Sequence, residues 1–274
     1  MKRLLLQSDD YGITHGVSAG ILRAIQDGVI RNTGMFVNME SSKEAADLIK
    51  DRDVCLGIDI NYVAGKPITD PKKVPHLVDE NGYFHTSRRI LETQKLEGME
   101  GIIYHFSVDP FPYEEILLET ENQVKEFKRL TGKMPEYLHP HSICTPNTER
   151  AACEIAKKYH IFHTTDMMKE ESFKCLPGAI SLKKGASVEE QLQQNVEEEF
   201  LTLSLPSLLE NETGYYIFHC GYIDQELMRV SSLNLKRMLD LEAAVSSKVK
   251  DYIQEHQIEL ITYREIKEEK CFDK

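Results

Sequence analysis

Four apolar runs of the chain end in carboxylate or imidazole side chains, and these set the chemistry the sequence can support. Asp9 and Asp10 follow RLLLQS, Asp59 stands in GIDIN, His139 and His141 flank Pro140, and His219 follows YYIF. Acids and imidazoles hold divalent cations and move protons near neutral pH. Neighbours on a strand point to opposite sides. One acid of the Asp9-Asp10 pair could therefore bind a metal while the other faces a water or a hydrogen-bond partner. Two adjacent carboxylates repel, so something must neutralise them. The plain alternative is a polar cluster ahead of a helix cap at Thr14. Gly12 weighs against it, since Asp-Asp-x-Gly makes a tight turn that aims the acids inward. His139 and His141 are two apart and share a face of any extended segment, and Pro140 biases His139 towards that geometry. The alternative is two ordinary loop histidines. Asp59 and Asn61 share a face in the same way, with a solvent-side acid as the alternative, and His219 has a core histidine as its own.

The elements that would position these groups alternate. Arg3 to Gln7 reads as a buried strand, followed by a helix from Thr14 to about Gly28 with Val17, Ile21, Ala24 and Ile25 at helical spacing. Ile30 to Asn38 reads as a second strand, a helix opens at Ser41 or Ser42, and Val54 to Val63 reads as a third strand. Tyr113 to Leu130 is a periodic helix closed by Gly132. Glu136 to His141 reads as a strand, Thr148 to Tyr159 as a helix, Ile161 to Thr164 and Gly214 to His219 as strands, Ser231 to Ile253 as one or two helices, and Ile258 to Thr262 as a final strand. This rhythm implies parallel βαβ units. The expected fold is α/β, a distorted or incomplete (β/α) TIM-like barrel in one domain over 1–274, with a doubly wound open sheet as the rival. Barrels carry functional groups at the C-terminal ends of their strands, where all four clusters fall. Residues 65–112, rich in proline, read as an excursion over that end and a candidate substrate lid. His76, His85 and His105 lie within it and could touch substrate. His15 could support Asp10, whereas His160, His163 and His256 read as structural or surface residues.

The 274 residues are 41% hydrophobic and 28% charged, as in an ordinary globular protein. Forty-five acids against 33 Lys and Arg give a net charge of −12, a poor match to nucleic acid or an anionic membrane. No apolar run is long enough to span a membrane. The opening MKRLLLQSDDYG runs into two aspartates and does not read as a signal peptide. None of the six cysteines lies in a C-x-x-C pair. A cytoplasmic protein with reduced thiols is the expectation.

The motifs also resemble a known family. S-D-D-Y-G at 8–12 with G-V-x-x-G-I at 16–21, Asn38, L-G-I-D-I-N with G-K-P-I at 65–68, P-E-Y-L-H-P-H at 135–141 and F-H-C-G-Y-I-D at 218–224 resemble, in order and spacing, the YdjC-like carbohydrate deacetylases, which include chitooligosaccharide deacetylases. The resemblance implies a distorted βα-barrel, a divalent metal and hydrolysis of an N-acetyl group from a sugar, with a homodimer as a possible assembly. It implies Asp10 as a metal ligand, Asp9 as general base, further ligands at Asp59 and His141, His219 as acid or transition-state stabiliser, and Arg237 near the substrate. This sequence has Asp59 where the family usually has histidine, His139 where it usually has aspartate, and Cys220 in place of a proline. The expected site is then Asp10, Asp59 and His141, with His139 close by. Two carboxylates shift the preference towards oxygen-liking ions such as magnesium or manganese; magnesium is the favoured ion, with zinc and manganese as alternatives. Tyr11, Tyr222, Tyr62 and Phe84 could stack on sugar rings, with core packing as the alternative. A glycoside hydrolase with paired carboxylates and a non-catalytic sugar-binding relative are the competing readings.

Overall fold

In a computed structural model, which describes residues 1–178 and 187–272, the strands are β1 (Arg3–Tyr11), β2 (Asn32–Met35), β3 (Cys55–Ile60), β4 (Leu96–Glu100), β5 (Ile103–Phe106), β6 (Tyr137–Pro140), β7 (Phe162–His163), β8 (Phe173–Cys175), β9 (Thr213–Phe218) and β10 (Glu259–Ile261). Eight of them form one sheet in the order β7-β6-β3-β2-β1-β9-β8, with β10 beside the start of β1, and every pairing in it is parallel. Among the described residues no pairing joins β7 to β8. The fold is thus the incomplete (β/α) barrel, not the doubly wound sheet.

Alternation along the strands explains what fills the curl. Leu5, Cys55, Tyr137, Tyr215 and Ile261 form one buried cluster, into which Tyr263 and Ile266 of the last helix (Tyr263–Phe272) insert. Their neighbours Leu4, Leu6, Leu56, Leu138 and Tyr216 belong to the larger core beneath the helices. Burying so many aliphatic and aromatic side chains, at about 1.5–3 kcal/mol each, is the main drive for the curl to close over its last helix. The inner row continues upward in polar residues: Leu5, Gln7 and Asp9 on β1, and Tyr137 and His139 on β6. Tyr263 Oη donates to Gln7 Oε1 (2.6 Å), and Gln7 Nε2 donates to Asp9, so the inner plug is tied directly to the rim.

The helices follow the apolar spacing. Thr14 caps His15–Gln26, accepting from the Val17 N–H at 3.2 Å. Tyr113–Thr131 ends at Gly132, whose φ of 78° needs a residue without a side chain. Ser41 precedes Ser42–Ile49 but does not cap it; its hydroxyl donates to Gly12 O (2.6 Å) and braces the β1 turn instead. The 65–112 excursion is more regular than its composition implied, with a helix (Ser87–Thr93) and the antiparallel β4–β5 hairpin.

Candidate active site

The rim of the sheet brings the acid pair and three imidazoles together. β1 makes this possible by breaking its own alternation. Ser8 pairs with Thr33 and Tyr11 with Met35, so three steps on β1 match two on β2. This one-residue bulge places Asp10 at φ 74°, a conformation that aspartate tolerates better than most residues. Gly12, at φ 86°, completes the turn. The two acids therefore do not point to opposite sides of the sheet. Both line one cavity of about 250 Å³, with His141, His219 and Arg237 in its wall.

Each acid has its own cationic or imidazole partners. Arg237 donates to Asp10 Oδ2 at 2.5 Å, and His141 Nδ1 lies 2.9 Å from Asp10 Oδ1. Burial alone would push the Asp10 carboxyl up, but His141 and Arg237 outweigh it and hold the acid well below its ordinary pKa. Asp9 Oδ2 is 3.4 Å from His139 Nε2 and 3.8 Å from His219 Nε2. Burial raises Asp9 too, yet His139 and then His219 leave it below the usual carboxylate range. For His219 burial prevails over the attraction of Asp9 and Asp10, so its pKa falls and it stands as a neutral imidazole at pH 7.

A second tier holds these groups in place. His139 Nδ1 lies 2.8 Å from the Thr164 hydroxyl, which donates to Leu138 O (3.2 Å). That leaves Thr164 accepting the imidazole Nδ1–H, so His139 turns Nε2 towards Asp9. The helix Leu235–Val245 supplies both Arg237 and Asp240. Asp240 accepts the His219 backbone N–H (2.7 Å) and pairs with Lys236 (2.5 Å).

Asp59 occupies a different position from the one its strand pattern implied. Its Oδ2 accepts the Asp10 backbone N–H (2.8 Å), and its Oδ1 is buried without a partner. Burial and the charges of Asp9 and Asp10 push its pKa well up. It does not line the cavity. Gly34, on β2, makes room for it: a Cβ there would lie 1.7 Å from Asp59 Oδ1. Gly34→Ala is expected to displace the carboxyl from the Asp10 N–H and to destabilise the protein by about 1–3 kcal/mol in urea unfolding. Wild-type stability would show that the carboxyl has another seat.

The donor set fits a divalent ion in part. Asp10 Oδ1 makes no hydrogen bond, and with His141 Nδ1 it offers a pair of ligand atoms facing each other. Among the described residues, however, Asp10, Asp59 and His141 do not bring one ligand atom each within 4.8 Å of one another. With Asp59 outside the set, one carboxylate and one imidazole remain, and the two-carboxylate case for magnesium goes with it.

Several expected contacts fall elsewhere. Tyr11 is fully buried and donates to Ala45 O (2.7 Å), because the bulge turns its ring into the helix-side core. Tyr62 and Phe84 are core residues as well. Tyr222 is partly exposed and accepts from Arg23 (2.8 Å), away from the cavity lining. Arg237 is 1% exposed; its Nη2 holds Asp10, while its Nη1 has no hydrogen-bond partner and the residue lines the cavity. Asn61 shapes its own turn, accepting from the Val63 and Ala64 N–H groups at 3.0 Å. His76 pairs with Glu115, and His105 with Glu100. From the excursion it is Thr86 and Ser87, not these histidines, that reach the cavity. No motif of the sequence singles out either residue; Thr86 caps the helix Ser87–Thr93.

The geometry defines an α/β half-barrel protein with an acid–imidazole centre at the C-terminal ends of its strands, where such folds carry chemistry. The model for YdjC-like proteins matches residues 3–255, and the chain belongs to that family. It is 29% identical to a carbohydrate deacetylase of Thermoanaerobacter pseudethanolicus over 272 residues, which cover 97% of this chain and 100% of the relative. It is 31% identical to a carbohydrate deacetylase of Vibrio cholerae O1 El Tor Inaba N16961 over 177 residues, 63% of each chain. A crystal structure from Enterococcus faecalis V583, described as a candidate cellobiose-phosphate cleavage protein, shares the fold with a TM-score of 0.72 at 23% identity, covering 97% of this chain and 98% of that one. Among the described residues no helix is long and apolar enough to cross a membrane.

Proposed function

We propose that this protein is a carbohydrate deacetylase that hydrolyses the N-acetyl group of an amino-sugar or chitooligosaccharide. Its family and its deacetylase relatives support the reading. The observation that carries it is the bulged acid pair, with Asp9 and Asp10 facing one cavity and each held by imidazoles from other strands. A glycosidase would need two carboxylates flanking the scissile bond, and Asp59 does not line the cavity to form the second wall.

In this proposal Asp10 and His141 would hold a divalent ion (magnesium, zinc or manganese), with Asp59 fixing the Asp10 backbone behind them. When bound, such an ion would supply Lewis-acid polarisation of the amide carbonyl and a lowered pKa for the attacking water. Asp9 takes the proton from that water at Oδ2. Because His139 holds Asp9 below the usual carboxylate range, the proton does not rest there. His219 Nε2, 3.8 Å away and neutral, receives it and delivers it to the leaving amine. His139 stays hydrogen-bonded to Thr164 and orients Asp9. Thr86 and Ser87 bring the 65–112 excursion to the cavity mouth, where it would act as a lid over the sugar.

Acetate release from N-acetylated chitooligosaccharides, measured with and without chelator, tests the reading. Acetate that disappears with chelator and returns on adding Mg2+, Mn2+ or Zn2+ is the expected result. New reducing ends without acetate would replace it with glycosidic cleavage, and binding without either product would leave a sugar-binding protein.

A further inference from the structure

Away from the cavity, three elements bring a thiol, an imidazole and a carboxylate to one point. Cys153 lies on the helix Pro146–Tyr159, His163 ends β7, and Asp166 belongs to the short helix Thr164–Met168. One potential ligand atom of each lies within 4.8 Å of the others. His163 was expected to be structural or at the surface. It is 5% exposed, and neither ring nitrogen has a hydrogen-bond partner. Its Nδ1 is 3.5 Å from Asp166 Oδ2 and its Nε2 is 3.6 Å from Glu149 Oε2. These gaps are too long for hydrogen bonds, and a buried imidazole left unsatisfied on both sides is costly. The gap to Asp166 does match a coordination edge. Tetrahedral bonds of about 2.0–2.2 Å set nitrogen and oxygen ligands about 3.4 Å apart.

We propose that Cys153, His163 and Asp166 form a binding site for a divalent transition-metal ion of the zinc class. Thiolate, imidazole and carboxylate together suit a borderline-soft ion, whereas magnesium and calcium prefer oxygen alone. Asp166 is exposed, which leaves room for a water as fourth ligand. Glu149 stands behind the ring at Nε2, completing a carboxylate–imidazole–metal series, while its other oxygen takes Lys169 at 2.7 Å. The ion has a structural consequence. β7 is only two residues long, and the next residue, Thr164, carries the hydroxyl that holds His139. Metal on His163 pins that edge strand to the helix Pro146–Tyr159, and so steadies the support of Asp9.

Cobalt titration of the reduced, chelator-treated protein tests the site apart from any activity. The expected result is a near-ultraviolet thiolate-to-cobalt absorption that saturates with one equivalent, persists in Asp10→Asn and is displaced by Zn2+. It is lost in Cys153→Ser. Glu149→Gln and Asp166→Asn keep it but bind cobalt about tenfold or more weakly. Cys153 is half-buried and Asp166 exposed, so these variants are expected to retain the wild-type circular dichroism. No thiolate band in the wild-type protein, or an undiminished band in Cys153→Ser, would overturn the proposal.

Discussion

Replacing Arg237 with methionine is expected to destabilise the protein by about 3–5 kcal/mol, measured by urea unfolding at neutral pH. Arg237 and Asp10 are each 1% exposed and meet at 2.5 Å, so neither charge has water as a fallback. Methionine fills much of the volume left by the arginine stem, which limits the cavity contribution, and the loss then comes chiefly from a buried carboxylate stripped of its cation. His141 remains beside Asp10 and softens the effect without removing it. Arg237 Nε also donates to Leu233 O (2.8 Å), a contact methionine cannot make. Asp10→Asn alone is expected to be costly as well, since it leaves the guanidinium buried beside a neutral amide. The two substitutions together should cost less than their sum, because each removes the group that the other strands. A loss below about 1 kcal/mol in Arg237→Met, or strict additivity in the double variant, would mean that Asp10 is neutralised some other way.

The fold and the site were legible to different depths. Strand and helix order could be read because burial imposes a period on the chain: Leu4, Leu5 and Leu6 mark a strand buried on both faces, and Val17, Ile21, Ala24 and Ile25 mark one face of a helix. The Tyr263–Phe272 plug was missed because its apolar positions are few and its surface is dense in charge. The β4–β5 hairpin was missed because its strands are exposed or half-exposed and carry no alternating pattern. At the site, residue types pointed to Asp9, Asp10, His139, His141 and His219, all of which converge on the rim. Their pairings were not legible. A bulge is a register event between two strands, and nothing in S-D-D-Y-G alone says that β2 skips a residue opposite it. The exchange of acid and imidazole at positions 59 and 139 was visible, but its effect depends on Gly34. Only the absent side chain there lets a carboxyl turn to the Asp10 N–H. Arg237 shows the same gap: a buried arginine on a late helix reads as a solvated one until its partner is known.

Asp9→Asn is expected to lower kcat for acetate release by about 10²–10⁴-fold, the range a positioned base commands, with KM changed little. The substitution is close to isosteric, and its structural consequences can be traced atom by atom. The asparagine carbonyl can still accept from Gln7 Nε2, and its amide can donate towards His219 Nε2, so most of the surrounding contacts survive. What disappears is the one ionised oxygen that faces the cavity between two imidazoles. Stability within about 1 kcal/mol of wild type, together with the fall in kcat, would separate a lost base from a damaged fold. Because Asp9 is held below the usual carboxylate range, its ionised form is fully populated at neutral pH, and raising the pH should not rescue the variant. A kcat within about tenfold of wild type would assign the water's proton to another group, and His219 is the first to examine, since its neutral Nε2 opens on the same cavity. In that case His219→Gln should abolish acetate release while Asp9→Asn merely slows it, and the bulge that turns both acids inward would serve to orient imidazoles.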